Sequence, residues 1–545
     1  MKFNSLIMKK LYFLLILVVT NFGYSQIEDA WVYFNGKPSS ATFLANPLTM
    51  LTQRSLDRRT AQNIPLDITD VPVEQSYITQ VSAATGITVM AKSKWLNALH
   101  IRGTQANIQA LTGLSFVTNV KFANHSLNPS GKITQNSNKF KAINKNLDAQ
   151  VTYNYGGSQN QIEMLNGHLL HQQNFTGQGK IIAVLDSGFT GVDTAAPFQN
   201  LMTNNQILGG YNFPDQNTNY FFRHNHGTNV LSTMGGFSDG QLVGTAPSAK
   251  YYLFITEDIN SENPVEESYW VEGAELADYY GVDVINSSLG YFEYDNPNYS
   301  YQYSDMIGNK TFASRGANMA FNKGIVVVIS AGNSGATSEP HIATPGDAIG
   351  ALTIGAVNSL EAYASFSSIG PSFDGRVKPD VCAKGAGTTV ASPTGTIYTS
   401  SGTSFSSPVM AGMVTTFWSA VPNLTAQQVV NFVKQSADNY NAPTNQKGYG
   451  IPDFQLALTN ALNLETIESN QSFLVYPNPA ENQITFQLEN KQKGIVYLYD
   501  VLGQNILTKE ISENNNSIDI QNLSNGVYYY NFESDKVFKG KIIKK

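Results

Sequence analysis

The stretch that decides the fold is Ile181-Ile182-Ala183-Val184-Leu185-Asp186-Ser187-Gly188. Its continuous apolar run suits a strand buried on both faces. The run ends on a carboxylate, Asp186, at the edge of the strand where ligands and catalytic groups collect in α/β sheets. Asp-Ser-Gly is also ordinary turn chemistry, so the residues alone leave a catalytic and a structural reading open. From about 151 to 463 the chain alternates such runs with helical periods. That pattern predicts an α/β domain, a parallel sheet flanked by helices.

On either side the texture changes. From about 26 to 126, Ile87-Thr88-Val89-Met90, Trp95 to Ile101 and Phe116 to Val120 read as strands and Gln105 to Leu111 as a helix, a small α+β unit. From 126 to 150 the chain is polar, with Lys132, Lys139, Lys141 and Lys145 among Asn and Ser residues, which marks an exposed linker. A second polar join is expected near Asn463. Residues 470–545 hold only strand-like runs with turns such as Asn525-Gly526, which predicts a small β-sandwich. At the N-terminus, Lys9 and Lys10, the apolar run Leu11 to Thr20 and the small residues of Gly23-Tyr24-Ser25 describe a signal peptide over 1–25. The apolar run is about half the roughly 20 residues needed to span a bilayer.

The composition narrows the function. The 545 residues suggest about three to five units. With 34 basic and 41 acidic residues, a net charge of -7, nucleic acid is a poor partner. The single cysteine, Cys382, rules out intramolecular disulfides, four-cysteine zinc sites and iron–sulfur clusters. An exported chain of this kind depends on packing, alone or with bound metal. Seven histidines shorten the search for a base.

Two further segments carry chemistry. In His224-Asn225-His226-Gly227-Thr228-Asn229-Val230, followed by Leu231 and Met234 at helical spacing, His226 stands at the start of a helix. Coupled to Asp186, it becomes a candidate base that takes a proton from a hydroxyl. In Ser401-Gly402-Thr403-Ser404-Phe405-Ser406-Ser407-Pro408, small residues permit a close approach of substrate, and Pro408 is expected near the first turn of a buried helix. A serine at that helix's N-terminus would meet backbone N–H groups that favour developing negative charge. Spacing alone does not choose among Ser401, Ser404, Ser406 and Ser407.

Asp186-Ser187-Gly188, His226-Gly227-Thr228 and Gly402-Thr403-Ser404-Phe405-Ser406-Ser407-Pro408 resemble, in order, the signature segments of the subtilisin-like serine proteases, the subtilases. Gly244-Thr245-Ala246-Pro247, Ile285-Asn286-Ser287-Ser288-Leu289-Gly290, Ser330-Ala331-Gly332-Asn333-Ser334-Gly335, Lys378-Pro379-Asp380 and Gly448-Tyr449-Gly450 agree with the same family. The resemblance covers about 300 residues. It implies a catalytic set of Ser404 as nucleophile, His226 as base and then acid, Asp186 as its orienter and Asn333 as a side-chain oxyanion donor. It also implies substrate binding along Ser288-Leu289-Gly290, with Ala331 and Gly332 beside it. No cofactor is expected for catalysis. Room is left for structural calcium, without located ligands, and Glu266, Glu267 and Asp295 are read as solvated rather than metal-bound. Asn229 stands where many relatives have a second histidine, and Tyr291 where glycine is common, so Tyr291 is expected to reshape the specificity pocket.

The flanks then take roles. Residues 26–150 resemble a subtilase propeptide and its linker. Residues 470–545, with Tyr476-Pro477-Asn478-Pro479-Ala480, Leu523-Ser524-Asn525-Gly526-Val527-Tyr528-Tyr529-Tyr530 and a Lys-rich end, resemble the sorting domain of the type IX secretion system. The expectation is a secreted or cell-surface serine endopeptidase of a Gram-negative, Bacteroidetes-type cell, monomeric, acting on protein or peptide substrates and handled by the type IX machinery. A catalytically idle adhesion protein is the alternative. An esterase is disfavoured because Ser404 sits outside a Gly-x-Ser-x-Gly elbow.

Overall fold

A computed structural model describes residues 26–128, 153–471, 474–488, 493–500, 504–534 and 537–545. The expected signal peptide and all but the first few residues of the expected linker lie outside the described residues. Backbone contacts divide the chain into two compact units with the break at Ala457. Among the described residues no helix is long and apolar enough to cross a membrane.

The first unit is built on a seven-stranded sheet in the order Val381–Lys384, Ala351–Val357, Val326–Ser330, Val284–Ser287, Ile181–Asp186, Lys250–Ile255, Ile207–Asn212. Every pairing in it is parallel. All six residues of Ile181–Asp186 are buried, as the apolar run predicts. Ala183, Leu185, Ile285, Val327 and Ile329 pack with Trp270, Ala274, Ala313 and Ala317 of helices Val265–Tyr280 and Phe312–Asn322. Alternate residues point to the other face, where the 18-residue helix Thr403–Ala420 crosses the strands and packs on helix His226–Gly235. Cys382 is fully buried, and burial pushes its thiol up to about 12, so it is an inert core residue.

The N-terminal region forms a four-stranded antiparallel sheet in the order Ile87–Ser93, Ala98–Thr104, Ile27–Phe34, Val117–Phe122. The strand expected over Trp95 to Ile101 begins instead at Ala98, because Lys94 to Asn97 turn. The carboxylate of Glu275 holds that turn, accepting from Ser93 Oγ (2.6 Å), Lys94 N (3.0 Å) and Trp95 N (3.0 Å). Sequence distance hides such a partner. Trp31, Ala91, Trp95 and Ala98 share one apolar cluster with the sheet and helices of the large domain. That shared core is why the region does not separate as a unit of its own. Between the first strand and helix Gln75–Ser82, an arm carries the short helices Ser40–Ala45 and Gln53–Ala61.

Instead of a polar join near Asn463, the backbone stays helical over Phe454–Gln471. The segment is free of Gly and Pro, so nothing in it breaks the helix that begins at Phe454, which is buried against Phe417. The second unit has two antiparallel sheets, Leu474–Tyr476 with Gln483–Gln487 and Ser517–Asp519, and Asn505–Ser512 with Lys493–Tyr499, Gly526–Glu533 and Val537–Lys544. Ile484, Phe486 and Ile518 of one sheet pack on Val496, Leu498 and Phe532 of the other, the expected sandwich.

The Thr403–Ala420 helix is seated closely. A β-carbon on Gly412 would lie 1.9 Å from Thr245 Oγ1. Gly412→Ala is expected to destabilise the catalytic unit by about 1–3 kcal/mol, seen as a lowered melting temperature by calorimetry; an unchanged melt would mean the helix is free to shift.

Candidate active site

Parallel pairing aligns the strand ends, so Asp186 and the segments that follow Ile255, Ser287 and Ser330 meet at the carboxyl edge of the sheet. Asp186 is fully buried. Its Oδ1 accepts from His226 Nδ1 at 2.8 Å and from Ser187 N at 2.7 Å. His226 is the first residue of its helix, as expected, and the helix can start there because Gly227 lies against Gly188 O and the Phe189 ring, 2.5 and 2.7 Å from an added β-carbon. The Nδ1 bond leaves Nε2 of His226 available to a hydroxyl. Burial disfavours the imidazolium, but the Asp186 charge and hydrogen bond outweigh it and raise the His226 pKa above its ordinary value.

Ser404 is the second residue of the Thr403–Ala420 helix. Pro408 lies deeper in this helix than expected, at its sixth residue rather than in the first turn. Proline has no N–H to give the carbonyl four residues back, and here that carbonyl belongs to Ser404. Ser288 Oγ donates to it instead, at 2.9 Å, and Asn286 supports both sides by donating to Ser288 Oγ (3.3 Å) and accepting from Ser407 Oγ (2.9 Å). The proline therefore ties the helix of Ser404 to the end of strand Val284–Ser287. Among the described residues no hydrogen bond joins Ser404 Oγ to His226; such bonds are commonly long in unliganded hydrolases and shorten on binding.

Asn333 is oriented by Thr403, whose N–H and hydroxyl both donate to Asn333 Oδ1, at 2.9 and 3.0 Å. That leaves Nδ2 as the outward donor. Gly332, at φ +97°, donates its N–H to Thr403 Oγ1 at 3.1 Å, so this turn needs a residue at ease with positive φ. Ala331 is buried and still tied to the sheet through Ile354 O, Leu289 is half-buried and Gly290 exposed. The spacing of Gly402-Thr403-Ser404 held the clue to Thr403, but a hydroxyl serving a distant amide is not readable from it. Tyr291 is buried; its N–H donates to Thr344 O at 2.7 Å and its hydroxyl to Glu257 at 2.6 Å. Asn229 donates to the Tyr398 hydroxyl at 2.7 Å.

Asp295 is exposed, as expected, but Glu266 and Glu267 are buried. Glu266 takes the N–H groups of Asp258 and Asn263, and burial raises it to about 8. Glu267 takes Tyr294 Oη, Tyr301 Oη and Ala313 N. Loop N–H groups and phenols replace the water that the sequence suggests. Among the described residues no group of three or more His, Cys, Asp or Glu is placed to hold a metal ion.

Comparison with known proteins fits this geometry. The model of the subtilase family matches residues 177–450. The chain belongs to the subtilase family. Subtilisin NAT of Bacillus subtilis subsp. natto is 30% identical over 299 residues, covering 54% of this chain and 70% of that one. Subtilisin of Bacillus pumilus is likewise 30% identical over 299 residues, covering 54% of this chain and 97% of its own. A solved structure of MycP3 protease from the type VII (ESX-3) secretion system aligns at TM-score 0.46 and 20% identity, over 59% of this chain and 92% of that chain. A model of the Peptidase S8 propeptide domain of Bacteroidota matches residues 29–141, and one of the secretion system C-terminal sorting domain matches 474–545. This subtilase is a secreted serine endopeptidase, with a propeptide domain ahead of the catalytic domain and a type IX sorting domain behind it. Its chemistry needs no cofactor.

By NMR, His226 is expected to titrate above the ordinary histidine value of about 6.5. Asp186→Asn removes the charge that raises it and leaves burial unopposed, so the titration should move down; an unmoved value would mean Asp186 does not set the state of His226.

Proposed function

We propose that this subtilase cleaves peptide bonds through an acyl-enzyme formed on Ser404. The observation that carries the reading is the His226–Asp186 hydrogen bond of 2.8 Å at the sheet edge where the Ser404 helix begins. His226 Nε2 takes the hydroxyl proton as Ser404 Oγ attacks the carbonyl carbon, and returns it to the leaving amine as the C–N bond breaks. Water then repeats the sequence on the ester and frees Ser404. Asp186, buried and bonded to Nδ1, fixes the tautomer and stabilises the imidazolium. The carbonyl oxygen becomes anionic between Asn333 Nδ2 and the Ser404 N–H at the helix N-terminus, where the dipole also favours it. Ser288-Leu289-Gly290 pairs with the extended substrate, and Ala331 and Gly332 line the opposite side of the acyl residue. Tyr291, held by Glu257, narrows the pocket beyond Gly290.

In the same reading, residues 1–25 direct export, the propeptide of 26–150 holds the enzyme inactive until the linker between 126 and 150 is cut, the catalytic domain spans 151–463, and 470–545 is read by the type IX machinery. The mature enzyme is a monomer at or beyond the cell surface. Structural calcium is left without assigned ligands.

The test is digestion of casein. Ser404→Ala should abolish both digestion and labelling by a fluorophosphonate, and equal digestion by variant and wild type would refute the assignment. Asn333→Ala should lower kcat by about 10²–10³ with little change in KM, the loss typical of a missing oxyanion donor in this family.

A further inference from the structure

Arg223 stands three residues ahead of His226 with φ at +63°. In that left-handed region the β-carbon crowds the backbone, and long side chains seldom enter it. Asn63, Asn97, Asn166, Asn174 and Asn205 also adopt it, but a short polar side chain that bonds locally tolerates it. Arg223 has no such ease. A residue in this state persists only where its surroundings over-determine it.

Those surroundings are the carboxyl ends of three adjacent strands. Toward the turn after Asp186 the contact is made by backbone. Phe189 N donates to Phe222 O (3.1 Å), His224 N to Ser187 O (3.3 Å) and Thr190 Oγ1 to Arg223 O (2.8 Å). No side chain fits between the two segments, since a β-carbon on Gly188 would lie 2.3 Å from His224 N and 2.6 Å from Phe222 O. The Arg223 side chain, 14% exposed, runs the other way. Its Nε and Nη2 form a fork on Asp215 (2.9 and 2.5 Å), and its Nη1 donates to Asp258 (3.0 Å). Asp215 lies in the turn after strand Ile207–Asn212, where its N–H and its carboxylate both bond the Asn212 side chain (3.1 and 2.8 Å). Asp258 follows strand Lys250–Ile255 and donates its N–H to Glu266 (2.9 Å).

The segment so held leads directly into the helix of the base. The Asn225 side chain does not cap that helix, and the His226 N–H goes to His224 Nδ1 instead (3.3 Å). We propose that Arg223 is a positioning residue: by keeping its own backbone in the left-handed bend, it sets the start of helix His226–Gly235 so that His226 Nδ1 meets Asp186. It acts through His226 and not on the substrate. The inference rests on the reading of His226 as the base.

The test compares Arg223→Ala with Arg223→Gly in the mature enzyme, on a peptide taken from its casein digest. Both variants lose the guanidinium and its charge, so any direct electrostatic effect on His226 is common to the two. Only glycine takes the left-handed conformation freely. The Ala variant is expected to show kcat about 10-fold or more below that of the Gly variant, with KM within about twofold, because a small displacement of the base slows the chemistry more than it weakens binding. The acid limb of kcat/KM against pH should lie lower in the Ala variant than in the Gly variant, since a histidine drawn away from Asp186 loses the charge that raises it. Equal kcat values with coincident acid limbs overturn the proposal, and so does a lower melting temperature of the Ala variant with both kinetic readings unmoved. If the Ala variant does not fold, Asp215→Ala with Asp258→Ala keeps the arginine and removes its anchors; kcat should again fall about 10-fold, and an unchanged kcat contradicts the proposal. A wild-type enzyme that digests nothing counts against the protease reading, while an active wild type whose Ala and Gly variants behave alike counts against Arg223 alone.

Discussion

The site depends on a carboxylate that water cannot reach. Asp186 is fully buried at the end of a strand with both neighbours parallel to it, and its Oδ1 faces Nδ1 of His226. Burying an ionised group is costly without partners, and the imidazole and the Ser187 N–H provide them. The sheet brings the segments after Ile255, Ser287 and Ser330 to the same edge, so the proposed proton transfer rests on strand alignment. Pro408 adds a second constraint. By withholding one N–H it frees the Ser404 carbonyl for Ser288, which links the Ser404 helix to the end of strand Val284–Ser287.

Much of this was legible in the chain. The apolar run before Asp186 reads as a doubly covered strand because parallel strands have no solvated face. The order of Asp186, His226 and Ser404 identifies the family, and the Asn333 segment follows from it. What was not legible is what requires contact between distant segments. Thr403 clamps Asn333, and Glu275 bends the propeptide at Lys94 to Asn97, so that the strand expected from Trp95 begins at Ala98. Glu266 and Glu267 read as solvated because their partners are backbone N–H groups and phenols with no sequence mark. The helix through Asn463 has a related cause: it begins where Phe454 packs on Phe417 and donates its N–H to Leu165 O, contacts distant in sequence.

The propeptide region is held at two places with different chemistry. Its sheet buries Trp31, Trp95 and Ala98 in a core shared with the catalytic domain, while its arm is fastened by guanidinium groups and carbonyls. Apolar burial is non-directional, whereas the buried ion pairs of Arg58 and Arg59 with Asp278 need each partner in place and are screened little by salt. Cys382, deep in the sheet and with a raised thiol pKa, takes no part in either.

The central claim is that one hydroxyl among four neighbouring serines is the nucleophile. Mass spectrometry of the fluorophosphonate-treated enzyme after proteolysis tests it directly. The account predicts a single adduct on Ser404. An adduct on Ser401, Ser406 or Ser407, or none at all on the folded enzyme, would contradict it.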